Sequence, residues 1–108
     1  MYPPLDSAKF GEYVRKSKGM VFVNFWTPWS DECRYMSSLM ADVQHLLEEQ
    51  DSIVQVDWDR ETQLVRELEI LGVPTLLIFV CGDEVARYYG TMSEGELRNC
   101  VVEARRRA

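Results

Sequence analysis

"MVFVNFWTPWSDECR", residues 20–34, joins two patterns that belong to different secondary structures. Met20 to Trp26 is apolar except for Asn24, as in a strand buried on both faces. From Ser30 onward apolar residues recur at Cys33, Met36, Met40, Val43 and Leu47, every third or fourth position. That spacing predicts a long helix to about Gln50, and Ser30 suits its N-cap. Two cysteines separated by two residues at a helix N-terminus would form a disulfide-exchange site. Here Cys33 holds the second position and Ser30 the first.

The flanking segments extend the alternation. Met1 to Leu5, with two prolines, reads as an extended lead-in. Asp6 or Ser7 can cap a helix through about Lys16, with Phe10 and Val14 on its inner face, and Gly19 stops it. Ile53 to Asp57 is a second strand, and Glu61 to Leu71 a helix ended by Gly72. Thr75 to Cys81 is again solidly apolar, Gly82-Asp83 is a tight turn, and Glu84 to Tyr89 returns as its hairpin partner. Ser93 with Glu96 forms a capping box that opens a last helix carrying Leu97, Cys100, Val101 and Ala104 on one face. This order predicts a single α/β domain over residues 1–108, with a mixed sheet covered by helices on both faces.

Composition narrows the function. With 46% hydrophobic and 28% charged residues, the chain forms a core without metals or disulfides. Cys33, Cys81 and Cys100 are far apart and give neither metal-ligand spacing nor a disulfide framework. Neither a metal nor another cofactor is expected. The net charge of −6 argues against nucleic acid, and Arg105-Arg106-Arg107 reads as helix-end cations that complement the dipole. The absence of a signal-peptide pattern and of a membrane-length apolar run makes the cytoplasm, or another reducing compartment, the expected location.

"FW", then Trp29 and Cys33, after the first long strand, with "GVPT" (residues 72–75) before the hairpin, resembles the thioredoxin family over about Leu5 to Ala104. The resemblance implies the thioredoxin fold, with a central mixed sheet of four to five strands and helices on both faces. It also implies a cis bond before Pro74, and matches Gly82 and Gly90 to family glycines in the hairpin turn and after the last strand.

The same resemblance shows what has changed. In the family the first cysteine attacks a disulfide and the second resolves the mixed disulfide. A serine hydroxyl at position 30 supplies no useful anion unaided. The single histidine, His45, lies twelve residues further along the expected helix, about 18 Å away, which excludes a serine–histidine pair. Asp31 and Glu32 replace the family's common Gly-Pro, and two carboxylates disfavour a neighbouring thiolate. Cys33 opens the apolar stripe of its helix and reads first as a core residue. The family's buried aspartate and its lysine partner fall on Asn24 and Gln55, two amides able to hydrogen-bond each other.

What remains is the substrate groove, carried over onto Trp29, Trp58, Val73, Pro74 and Gly90. Trp58 either extends the apolar strip or only closes the sheet end. Three functions follow. The first is a redox-inert module that binds a polypeptide, as an adaptor, assembly subunit or holdase chaperone. The second is a monothiol protein acting through Cys33. The third is a serine variant of a thiol-disulfide oxidoreductase. Only the first accounts for Asn24, Gln55, Asp31 and Glu32 together.

Overall fold

The computed structural model describes residues 5–108; the lead-in up to residue 4 lies outside them, and Leu5 is buried. Strands β1 (Met20–Trp26), β2 (Ser52–Asp57), β3 (Thr75–Val80) and β4 (Asp83–Tyr89) form one four-stranded sheet, ordered β2-β1-β3-β4. β2 runs parallel to β1, while β3 is antiparallel to β1 and β4 to β3. This is the expected mixed sheet, with four strands among the described residues.

The helices divide between its faces. α1 (Ser7–Phe10) is capped by Asp6, whose carboxylate accepts from the Lys9 amide, and continues as a π-helical turn over Gly11–Arg15. It packs with α3 (Thr62–Glu67) against Val21, Val23 and Phe25. α2 (Asp31–Asp42) and α4 (Glu94–Arg105) cover Met20 and Phe22 on the other face. Side chains alternate along a strand, so Asn24 must face the α2 side. The capping box is present: Ser93 Oγ accepts from the Glu96 amide, and Glu96 accepts from the Ser93 amide.

Two helices are shorter than their apolar periodicity suggests. α2 stops at Asp42 and gives way to a 3-10 turn over Gln44–Leu46, so His45 is not on the long helix. The stop is enforced from outside. Asp51 accepts from the amides of Glu48 and Met20, at 2.9 Å each, and from Arg105 at 2.6 Å. Arg105 also donates to the Leu46 carbonyl. These bonds fold residues 46–51 back toward β2 before a further helical turn can form. Burial by itself raises the Asp51 carboxyl, but the bonds from Glu48, Met20 and Arg105 outweigh it and hold the group below its ordinary value of 3.8. A carboxyl depressed in the folded state contributes stability above its unfolded value and loses it as pH falls through the folded value. Asp51→Asn is therefore expected to cost about 1.5 kcal/mol at pH 7. The deficit should shrink in urea titrations as pH falls below the group's ordinary value of 3.8.

α3 ends at Glu67 rather than at Gly72. Ile70 N–H bonds to the Val65 carbonyl and Glu69 N–H to that of Arg66, a Schellman closure with Glu69 in the left-handed region at φ 56°. Glycine normally takes that position, because a Cβ there costs roughly 1–2 kcal/mol. Part of that gain is offset by glycine's greater freedom in the unfolded chain, so Glu69→Gly is expected to stabilise the protein by about 0.5 kcal/mol. A lower urea midpoint would contradict this.

The hairpin turn sits one residue earlier than expected. Cys81 (φ 50°) and Gly82 (φ 88°) are both left-handed, as a two-residue turn matched to strand twist requires. Gly82 is doubly constrained, since a Cβ there would stand 2.1 Å from the Arg15 carbonyl oxygen.

Candidate functional site

The strand register brings the candidate residues to one end of the sheet. Phe25 pairs with Thr75 and Thr75 with Tyr89, while Trp26 pairs with Asp57. The segments beyond these pairs, at residues 27–30, 58–59, 72–74 and 90, therefore meet at that end. The Trp58 amide bonds to the Trp26 carbonyl and the Gly90 amide to that of Pro74, which knit them together. The Val73–Pro74 peptide is cis.

The two ends of the Ser-x-x-Cys motif, Ser30 and Cys33, are buried, while Asp31 and Glu32 between them are exposed. Ser30 is the N-cap of α2, and its hydroxyl accepts from the Cys33 amide at 3.3 Å and donates to Glu32 at 3.1 Å. Cys33 is wholly buried, at 0% exposure. Arg34 is committed to the same loop, donating to the Pro28 carbonyl and pairing with Asp31. The acids Asp31 and Glu32 open its helix.

Beneath the motif the two amides meet through a third residue. Asn24 and Gln55 are direct neighbours on β1 and β2. They do not bond to each other as expected. Both donate to Ser37 Oγ, Gln55 at 2.6 Å and Asn24 at 3.4 Å. Ser37 lies one helical turn beyond Cys33, above the two strands, and a hydroxyl oxygen can accept twice. Asn24 is completely buried, and its Oδ1 has no partner among the described residues; the same holds for Thr27 Oγ1. The cluster contains no group that titrates near neutral pH.

The groove residues separate into exposed and structural ones. Trp29 is 68% exposed, its indole N–H donating to Asp59 at 2.9 Å. Trp58 is half-buried and packs against the α1–α3 side of the core. Pro74 is buried, and its carbonyl is occupied by Gly90. Val73 and Gly90 are half-buried. No backbone–backbone bond among the described residues involves the Val73 main chain.

Three contributors escaped the sequence reading. Leu71 and Tyr89 are 94% and 73% exposed and line a concavity of about 450 Å³ with Glu69, Ile70, Thr75 and Arg87. Asp59, which grips Trp29, is the third. Strand alternation carried part of the signal for Tyr89: Tyr88 packs on the α2–α4 side, so Tyr89 lies on the opposite face of an edge strand. Leu71 was hidden by being counted as a helix residue. Among the described residues no group of His, Cys, Asp and Glu is placed to hold a metal, and no helix is long and apolar enough to cross a membrane.

A mixed sheet between two helical layers, with a cis-proline loop and a Ser-x-x-Cys helix start at the same end of the sheet, defines a thioredoxin-like α/β protein. The thioredoxin family model matches residues 2–103, and the chain belongs to the thioredoxin family. It is 31% identical to a thioredoxin of Griffithsia pacifica over 90 residues, 83% of either chain. It is 29% identical to thioredoxin 1 of Synechococcus elongatus over 95 residues, 88% of this chain and 89% of the other. A thioredoxin of Buchnera aphidicola is 26% identical over 95 residues, 88% and 87% of the two chains.

Proposed function

We propose that this thioredoxin-family chain binds polypeptide at the sheet end and does not carry out dithiol exchange. The observation that carries the reading is the state of the motif. Ser30 spends its hydroxyl on capping α2, and Cys33 is sealed beneath it. Disulfide reduction needs one thiolate to attack and a second thiol to resolve. Position 30 offers neither, and Asn24 supplies no acid–base group below. The exposed Trp29 and the unpaired Val73 main chain support binding of an extended segment by strand addition. Such a domain serves as an adaptor, an assembly subunit or a holdase.

Insulin reduction with dithiothreitol is the direct test. The expected result is no rate above the uncatalysed control, and clear turnover would refute the reading. Ser30→Cys alone should remain a poor catalyst, because Asp31 and Glu32 oppose a thiolate and Asn24 moves no proton. A monothiol role for Cys33 requires that thiol to react in the folded state. Its complete burial predicts slow labelling by a thiol reagent, at the rate of local opening.

A further inference from the structure

We infer that the segment bound at this groove is basic, with a lysine or arginine seated on Trp29 and a large apolar residue entering the Leu71–Tyr89 concavity. This rests on the binding function proposed above and specifies its partner. Asp59 holds Trp29 by the edge, through the indole N–H, using Oδ2. The bond is made at the ring edge, and Trp29 stays 68% exposed. A cation over an indole face is attracted by the ring's negative quadrupole. Here the fixed carboxylate beside the ring adds its charge.

The surroundings favour the same sign. Asp57 stands beside Asp59, accepting its amide at 2.9 Å, and Glu32 lies across the motif, accepting from Ser30. None of these three carboxylates has an ion-pair partner among the described residues. Arg34, the nearest cation of α2, is taken up by Asp31 and the Pro28 carbonyl. Arg60 is exposed and offsets part of the charge. The chain as a whole carries −6, so an acidic segment would be repelled at long range as well.

Geometry fixes the spacing. Trp29 is anchored beyond the end of β2, and Tyr89 ends β4, three strand positions away in the order β2-β1-β3-β4. Three strand spacings are about 14 Å, which an extended chain covers in about four residues. The basic and apolar residues of the partner should therefore stand about four positions apart.

The experiment is selection of random dodecapeptides by display on the immobilised full chain, followed by titration of a labelled selected peptide. Wild-type protein should enrich sequences with a basic residue about four positions from a large apolar one. Asp59→Asn keeps an acceptor for the indole N–H, so Trp29 stays in place while the charge is lost. It should weaken binding about fivefold in low salt, the upper range for one exposed charge pair. In 0.5 M salt that difference should vanish. Neutral or acidic selected peptides whose binding is lost in Trp29→Ala would overturn the inference and leave the groove reading standing. Selected peptides that bind Trp29→Ala as tightly as wild type, or no enrichment over a blank surface, would overturn both.

Discussion

Asn24→Asp should lose about 3 kcal/mol of stability at pH 7, the low end for stranding a buried charge. Asn24 is completely enclosed, and its polar neighbours are Ser37 and Gln55, neither of which is a cation. Those two groups can still offer hydrogen bonds to a carboxylate, which keeps the loss at the low end. Burial raises the pKa of a carboxyl at such a site. A group raised in the folded state leaves the protein least affected below its unfolded value near 4 and most affected above its folded value. Urea titrations should therefore show the full deficit at pH 7 and little at pH 4. Adding Gln55→Lys places an ammonium on the neighbouring strand, in register with position 24, and should recover at least half of the loss. A single variant as stable as wild type at pH 7 would mean that water reaches Asn24 Oδ1. The outcome also bears on function. If position 24 tolerates a charge only with its partner, replacing both by amides removes proton transfer beneath Cys33 without leaving a stranded charge.

The pattern of the chain made the architecture legible, because each element announces itself by a periodicity that burial enforces. Met20 to Trp26 had to be central, since both sets of alternating side chains are apolar, and the sheet places β1 between β2 and β3. Chain ends of helices were less legible, for identifiable reasons. The apolar stripe of α2 continues through Val43 to Leu47, yet the side chain of Asp51 and Arg105, 54 residues further on, decide where it stops. α3 closes on a glutamate in a position that sequence rules assign to glycine. The site shows the same division. That Ser30 would cap α2 and Cys33 would join the core followed from local pattern. That Ser37 would receive both amides did not, because it depends on how a helix lies across two strands. Pro74 looked like a contact residue but is buried, while Tyr89 and Leu71 take the exposed positions at that end.

Trp29→Ala should weaken binding of the selected peptide by at least about thirtyfold, or 2 kcal/mol. Large aromatic anchors carry a disproportionate share of interface energy, and Trp29 is the more exposed of the site's two tryptophans, Trp58 being half-buried against the core. Its cost to folding should be small, because an exposed ring held by one hydrogen bond contributes little packing. Two neighbouring substitutions provide the contrast. Ser30→Ala removes the cap from the Cys33 amide and should cost about 1 kcal/mol of stability while leaving affinity nearly unchanged. Cys33→Ala opens a small cavity in a buried position and should likewise lower the unfolding midpoint, not the affinity. Measuring both quantities for all three variants separates the two accounts of this motif. A groove that works by contact loses binding at Trp29 and stability at residues 30 and 33. A site that works by thiol chemistry shows the opposite order, with binding abolished by Cys33→Ala and retained by Trp29→Ala, and that result would return the chain to the redox chemistry its motif resembles.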